Sequence, residues 1–145
     1  MRITQVLAGK SASDVVTVRP DATVRELLDL LAEHNIGAVV VSGDGAAVDG
    51  IVSERDVVRH LREDAGLLDS PVSAIMSSRV QTCEPHHSVD DLMAMMTRLR
   101  VRHVPVVRDG RLIGIVSIGD VVKSRMSDLE FERDQLDSYV HGSQT

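Results

Sequence analysis

The chain is written twice, and the duplication constrains its fold more than any other feature. Pro20 and Pro85 lie 65 residues apart. At that offset Thr17 meets Thr82, Thr23 meets Ser88, Val24 meets Val89, Leu27 meets Leu92, and Asp44-Gly45 meets Asp109-Gly110. One residue is then lost, and at an offset of 64 Gly50-Ile51-Val52-Ser53 meets Gly114-Ile115-Val116-Ser117, with Asp56-Val57-Val58 on Asp120-Val121-Val122. So many matches in one order, with a single loop indel, mark two copies of one structural unit. Residues 61–70 form the connection.

Each copy carries the same local signals. Residues 15–18 read as a short strand ended by Pro20. Thr23 caps a helix with Glu26 completing a capping box, and Ser88 with Asp91 repeats the device. Val24, Leu27, Leu28 and Leu31 share one helical face, as do Val89, Leu92, Met93 and Met96. Residues 38–41 and 104–107 are β-branched and of buried character. The turns at Gly43-Asp44-Gly45 and Asp109-Gly110 lead to partner strands at 50–52 and 114–116. Ser53 and Ser117 then open a second helix. The unit is β-α-β-β-α, which gives an α/β (α+β) fold class. One unit has too little core to stand alone comfortably, so two packed sheet to sheet with pseudo-twofold symmetry are expected to share one core. The first repeat is expected over 6–61, the second over 72–124. Leu129, Glu132, Arg133, Leu136 and Val140 predict a further amphipathic helix over 127–141, serving as a packing arm.

Composition excludes several functions. Sixteen Lys+Arg against 22 Asp+Glu give a net charge of −6, which disfavours non-specific binding to nucleic acid or anionic membranes. Only Phe131 and Tyr139 are aromatic, too few for a base-stacking platform. The longest apolar run, 36–41, falls far short of the roughly 20 residues that a membrane span needs. The N-terminal residues show no signal-peptide pattern, so a cytoplasmic protein is expected. The lone Cys83 excludes an internal disulfide framework. Cys83 with His86 and His87 has the residue types of a metal site but no second ligand cluster, so exposed loop histidines and a small buried Cys83 are expected, with no metal. No nucleophile–base pair is visible, and no enzymatic activity is expected.

The duplicated Ser-x-x-Asp turns carry the candidate chemistry. Ser53 with Asp56, and Ser117 with Asp120, form a capping-box-like pattern that has a purely structural reading. Each also stands at a strand-to-helix turn, where free N–H groups and the helix dipole meet. A carboxylate there can accept both hydroxyls of a ribose, and a serine hydroxyl can bond ribose or phosphate.

This order of strand, proline, capped helix, apolar strand, turn and Gly-Ile-Val-Ser-x-x-Asp, twice over, resembles the cystathionine-β-synthase (CBS) domain family. The resemblance covers roughly Val6 to Ser124, and a tandem pair in that family is called a Bateman module. It implies a stand-alone bacterial sensor that binds an adenosine-containing ligand between its copies, pairs into a homodimer, and signals to an unidentified protein partner. AMP is the expected ligand; ADP, ATP, NAD and S-adenosylmethionine share the adenosyl handle, and no cofactor is required. By the same resemblance Ser117 and Asp120 face Asp14 and Val16, while Ser53 and Asp56 face Arg79 and Gln81. Ile36, Ala38 and Val101, with Ile51 and Ile115, are candidate walls of an adenine slot. Arg102 and His103 match a basic pair of the family, where the first copy has Gly37 and Ala38. Arg102 is therefore expected to hold a phosphate at the Asp120 site, with Arg55 serving the Asp56 site. The alternative is an interaction protein whose ligand sites are vestigial.

Overall fold

A computed structural model describes residues 1–10 and 15–142. The elements run α1 (Ile3–Ala8), β1 (Thr17–Val18), α2 (Val24–His34), β2 (Ala38–Val41), β3 (Gly50–Ser53), α3 (Glu54–Leu61), α4 (Val89–Leu99), β4 (His103–Arg108), β5 (Arg111–Ser117) and α5 (Ile118–Gly142). Short 3-10 turns at Leu67–Asp69 and Val72–Ala74 lie in the connection. Among the described residues no helix is long and apolar enough to cross a membrane.

The first copy is a three-stranded sheet in the order β1-β2-β3, with β1 parallel and β3 antiparallel to β2. Its first strand is shorter than expected, only Thr17–Val18. In the second copy β4 and β5 pair antiparallel, and the counterpart of β1 shrinks to a single parallel bridge between Cys83 and Val106. The helix caps follow the sequence. Thr23 accepts the Glu26 N–H at 3.1 Å while the Glu26 carboxylate takes the Thr23 N–H. Ser88 accepts the Asp91 N–H at 3.1 Å, but no return bond from Asp91 closes the box among the described residues. Both helices end in a left-handed residue, Asn35 and Arg100; Asn tolerates that conformation better than Arg.

Two cores replace the single one expected. One gathers Val18, Val24, Leu27, Leu31, Val39, Val41, Val52 and Val57, and the other Cys83, Val89, Leu92, Met96, Val104, Val106, Val116 and Val121. They are stitched by exchange of their leading segments. Ile3 and Val6 of α1 precede the first copy yet are buried in the core of the second. Val72 and Ile75 precede the second copy yet are buried in the first. The hydrogen bonds are symmetric: the N–H groups of Ile3 and Thr4 reach the carbonyls of His87 and Pro85, and those of Val72 and Ser73 reach Ala22 and Pro20. A further matched segment of the two copies, Ile3-x-x-Val6-Leu7 against Val72-x-x-Ile75-Met76, is therefore present in the sequence at an offset of 69.

The tail also differs. Residues 127–141 are helical, but as the continuation of α5 rather than a separate helix. It does not pack on the chain as an arm: Met126, Leu129, Phe131, Leu136 and Tyr139 are all exposed.

Candidate functional site

The two copies enclose a cleft of about 740 Å³, within the usual size range of ligand pockets. One wall comes from the first copy: Val15 and Val16 before β1, and residues 35–38 entering β2. The other comes from β5 (Ile113, Gly114, Ile115) and from Ser117 and Asp120 at the start of α5. Leu7, Ala8 and Lys10, on and just beyond α1, close one end.

The polar groups concentrate where β5 turns into α5. The Ser117 N–H donates to Asp120 Oδ2 at 2.9 Å, and Ser117 Oγ accepts the Asp120 N–H at 3.1 Å. The capping box is thus made, and the structural reading of Ser-x-x-Asp holds. It does not exhaust the carboxylate, because no hydrogen bond reaches Asp120 Oδ1 among the described residues. Lys10 Nζ also donates to Asp120 Oδ2, at 2.9 Å, and to the Ile115 carbonyl, at 2.7 Å. Burial works to raise the Asp120 carboxyl, but the Ser117 N–H and the Lys10 ammonium outweigh it and hold the group below the usual carboxylate range. Asp120 is therefore ionised at neutral pH. His103 is pushed below the ordinary histidine value, mainly by burial, with the Asp120 charge opposing.

The pseudo-symmetric position is built differently. Ser53 and Asp56 form the same box, with the Ser53 N–H on Asp56 Oδ2 at 2.8 Å and Ser53 Oγ within 3.1 Å of it. There, however, the neighbouring strand edge is taken: Ile51 exchanges two hydrogen bonds of 2.9 Å with Ser77. At the matching place in the second copy, the Ile115 carbonyl accepts a lysine side chain instead.

Of the residues singled out in the sequence, Val16, Ile36, Gly37, Ala38, His103, Ile115, Ser117 and Asp120 come together in the one cleft. Asp14 lies outside the described residues. Ser53, Asp56, Arg79 and Gln81 are absent from its walls, and the last two are exposed. Arg55, Val101 and Arg102 line a separate depression of about 330 Å³ with Arg100 and Thr97. The expected pairing of Arg102 with Asp120 is thus corrected. Gly37, its counterpart in the first copy, lines the cleft with Asp120, whereas Arg102 lines the other depression with Arg55. The cation that does meet Asp120, Lys10, was not singled out, nor were Leu7 and Ala8. The offset-69 repeat was the signal that would have carried this segment to the second copy.

Cys83 is a buried free thiol, pushed up to about 11 by burial. Glu84, His86 and His87 stand exposed with one potential ligand atom each, all within 4.8 Å of one another, but the thiol is turned toward the Pro105 carbonyl.

Comparison with known proteins agrees with this architecture. The family model of the CBS domain matches the chain twice, over residues 10–63 and 72–127. The CBS domain-containing protein YhcV of Bacillus subtilis is 31% identical over 116 residues, covering 80% of this chain and 82% of that protein. A solved CBS-domain containing protein of Agrobacterium tumefaciens is 44% identical with a TM-score of 0.80, covering 86% and 99% of the two chains. A CBS domain protein of Pyrobaculum aerophilum, solved in complex with AMP, is 30% identical with a TM-score of 0.71, covering 83% and 89%.

Proposed function

The chain belongs to the CBS domain family, and from that premise we propose that it is an adenosyl-ligand-binding regulatory module whose ligand is AMP. The observation that carries this reading is the ionised Asp120 at the rim of a slot walled by both copies. Asp120 accepts the ribose hydroxyls, with Ser117 beside it. Val16, Ile36, Ala38, Ile113 and Ile115 hold the adenine, and the exposed backbone of the entering strand segments supplies its hydrogen bonds. The AMP carried by the Pyrobaculum aerophilum relative supports the choice of ligand. The module acts by binding rather than by catalysis. A ligand that touches both copies favours the relative arrangement in which both walls fit it, and this shift in population is the signal.

The test is a thermal-shift series with AMP and GMP on the wild type and on Asp120→Ala. AMP at about a hundred times its Kd adds roughly 2.7 kcal/mol of stability, so a clear rise in Tm is expected, smaller with GMP and lost in Asp120→Ala. Equal shifts with both nucleotides would remove the adenine slot, and no shift would favour an interaction protein.

Self-association belongs to the same proposal. Val57 and Val121 are buried within their own copies, whereas Val58, Leu61 and Val122 on the same helices are exposed. A twofold homodimer through that face covers them. Light scattering at micromolar concentration should give twice the chain mass; the mass of one chain would count against it.

A further inference from the structure

Lys10 stands where it can read the charge of whatever enters the cleft. Its backbone is fixed, because α1 is anchored in the second core by Ile3 and Val6 and the Lys10 N–H bonds the Leu7 carbonyl at 3.2 Å. Its side chain is only partly exposed and reaches 105 residues along the chain to the Ile115 carbonyl, and to Asp120. Among the described residues that line the cleft, Lys10 and Asp120 are the only Lys, Arg, Asp or Glu side chains. His103, the third titratable group there, is held neutral by burial. Lys123 lies outside the cleft, in an adjoining depression that shares Lys10 and Asp120. Among the described residues the cleft therefore carries one internal ion pair.

A ribose diol that engages both oxygens of Asp120 finds Oδ1 without a hydrogen bond among the described residues, but at Oδ2 its second hydroxyl competes with the lysine ammonium. The displaced ammonium keeps its hydrogen bonds only by turning to another acceptor within reach. A phosphate on the 5′ carbon supplies one next to the ribose; a bare 5′ hydroxyl is a weak substitute, and a sulfonium cation repels the ammonium. A partly buried ammonium that loses its carboxylate and keeps only the Ile115 carbonyl is disfavoured, so this exchange separates ligands that are alike in their adenosine part.

We propose that Lys10 makes the cleft selective for 5′-phosphorylated adenosine over adenosine itself and over cationic S-adenosylmethionine. The proposal rests on the adenosyl reading above and assigns to Lys10 the phosphate-holding part that the family resemblance implied for Arg102. It also assigns Lys10 a position-holding role in the empty protein, as the occupant of the ribose place.

The test is calorimetric titration of the wild type, Lys10→Met and Lys10→Arg with AMP, adenosine and S-adenosylmethionine. Lys10→Met keeps most of the apolar stem and removes the charge. The wild type should prefer AMP to both other ligands. Loss of a charge-assisted hydrogen bond lowers affinity roughly ten- to a hundred-fold, so Lys10→Met should bind AMP that much more weakly. Adenosine and S-adenosylmethionine, no longer competing with an ammonium for Asp120, should bind it at least as tightly as before. Lys10→Arg should restore the preference for AMP. The ratio of affinities is read within each protein, so a partly unfolded variant still reports it. Parallel weakening of AMP and adenosine in Lys10→Met would overturn the role of Lys10 while leaving the adenosyl reading intact. Failure of the wild type to bind any of the three would overturn both.

Discussion

Gly37 gives the cleft wall nothing but backbone, and the slot is wide because of it. A Cβ built at this position meets no atom within 4 Å, and its backbone is not in the left-handed region that reserves a site for glycine. Gly37→Val therefore needs no rearrangement of the protein, yet adds a branched side chain to a residue that lines the cleft. Calorimetry should show AMP binding weakened at least about ten-fold, with the Tm of the free protein little changed. Undiminished binding would mean that the ligand does not use this wall. Single residues were also where the sequence was least legible. Ser117 and Asp120 could be read as a cap or as a ligand site, and they form the cap while also lining the cleft. Arg102 was matched correctly to Gly37 by offset, but offset says nothing about which cleft a side chain enters. That depends on how the two copies face each other, and it put Arg102 beside Arg55.

At the scale of elements, the exchanged segments explain two glycines. Gly50 and Gly114 are repeat equivalents, and each admits the apolar end of the segment that crosses from the other copy. A Cβ on Gly114 would lie 2.7 Å from Leu7 Cδ2, the tip of a flexible side chain. A Cβ on Gly50 would lie 2.7 Å from Met76 Sδ and 2.9 Å from the Ser77 carbonyl, which is backbone and held by its bonds to Ile51. Overpacking typically costs about 1–3 kcal/mol. Gly50→Ala should fall at the upper end of that range and Gly114→Ala at the lower, measured by urea unfolding; the reverse order would contradict the exchange. Gly114→Ala should also push Leu7 toward the ligand. The sequence revealed α2, α4 and the inner strands because eleven-residue helices and β-branched runs carry a clear period. It did not reveal α1, whose six residues are too few for a period, nor the crossing, since contact with a distant copy leaves no local mark. The tail was read as separate because the repeat ends near Lys123, although nothing in the residues that follow breaks a helix.

At the scale of the whole molecule, the exchange makes each copy's core depend on the other, so the two are expected to fold and respond together. The cleft is asymmetric for a physical reason. The edge of β3 is paired by Ser77, whereas at the equivalent place on β5 a movable lysine holds the Ile115 carbonyl. One site is thereby left without a paired strand edge, and it is there that we propose the adenosyl ligand binds across both copies. Amide hydrogen exchange with and without saturating AMP tests this most directly. Slowed exchange is expected both in residues 35–38 of the first copy and in residues 113–120 of the second. Protection confined to one copy, or appearing instead around Ser53, Asp56 and residues 79–81, would contradict it.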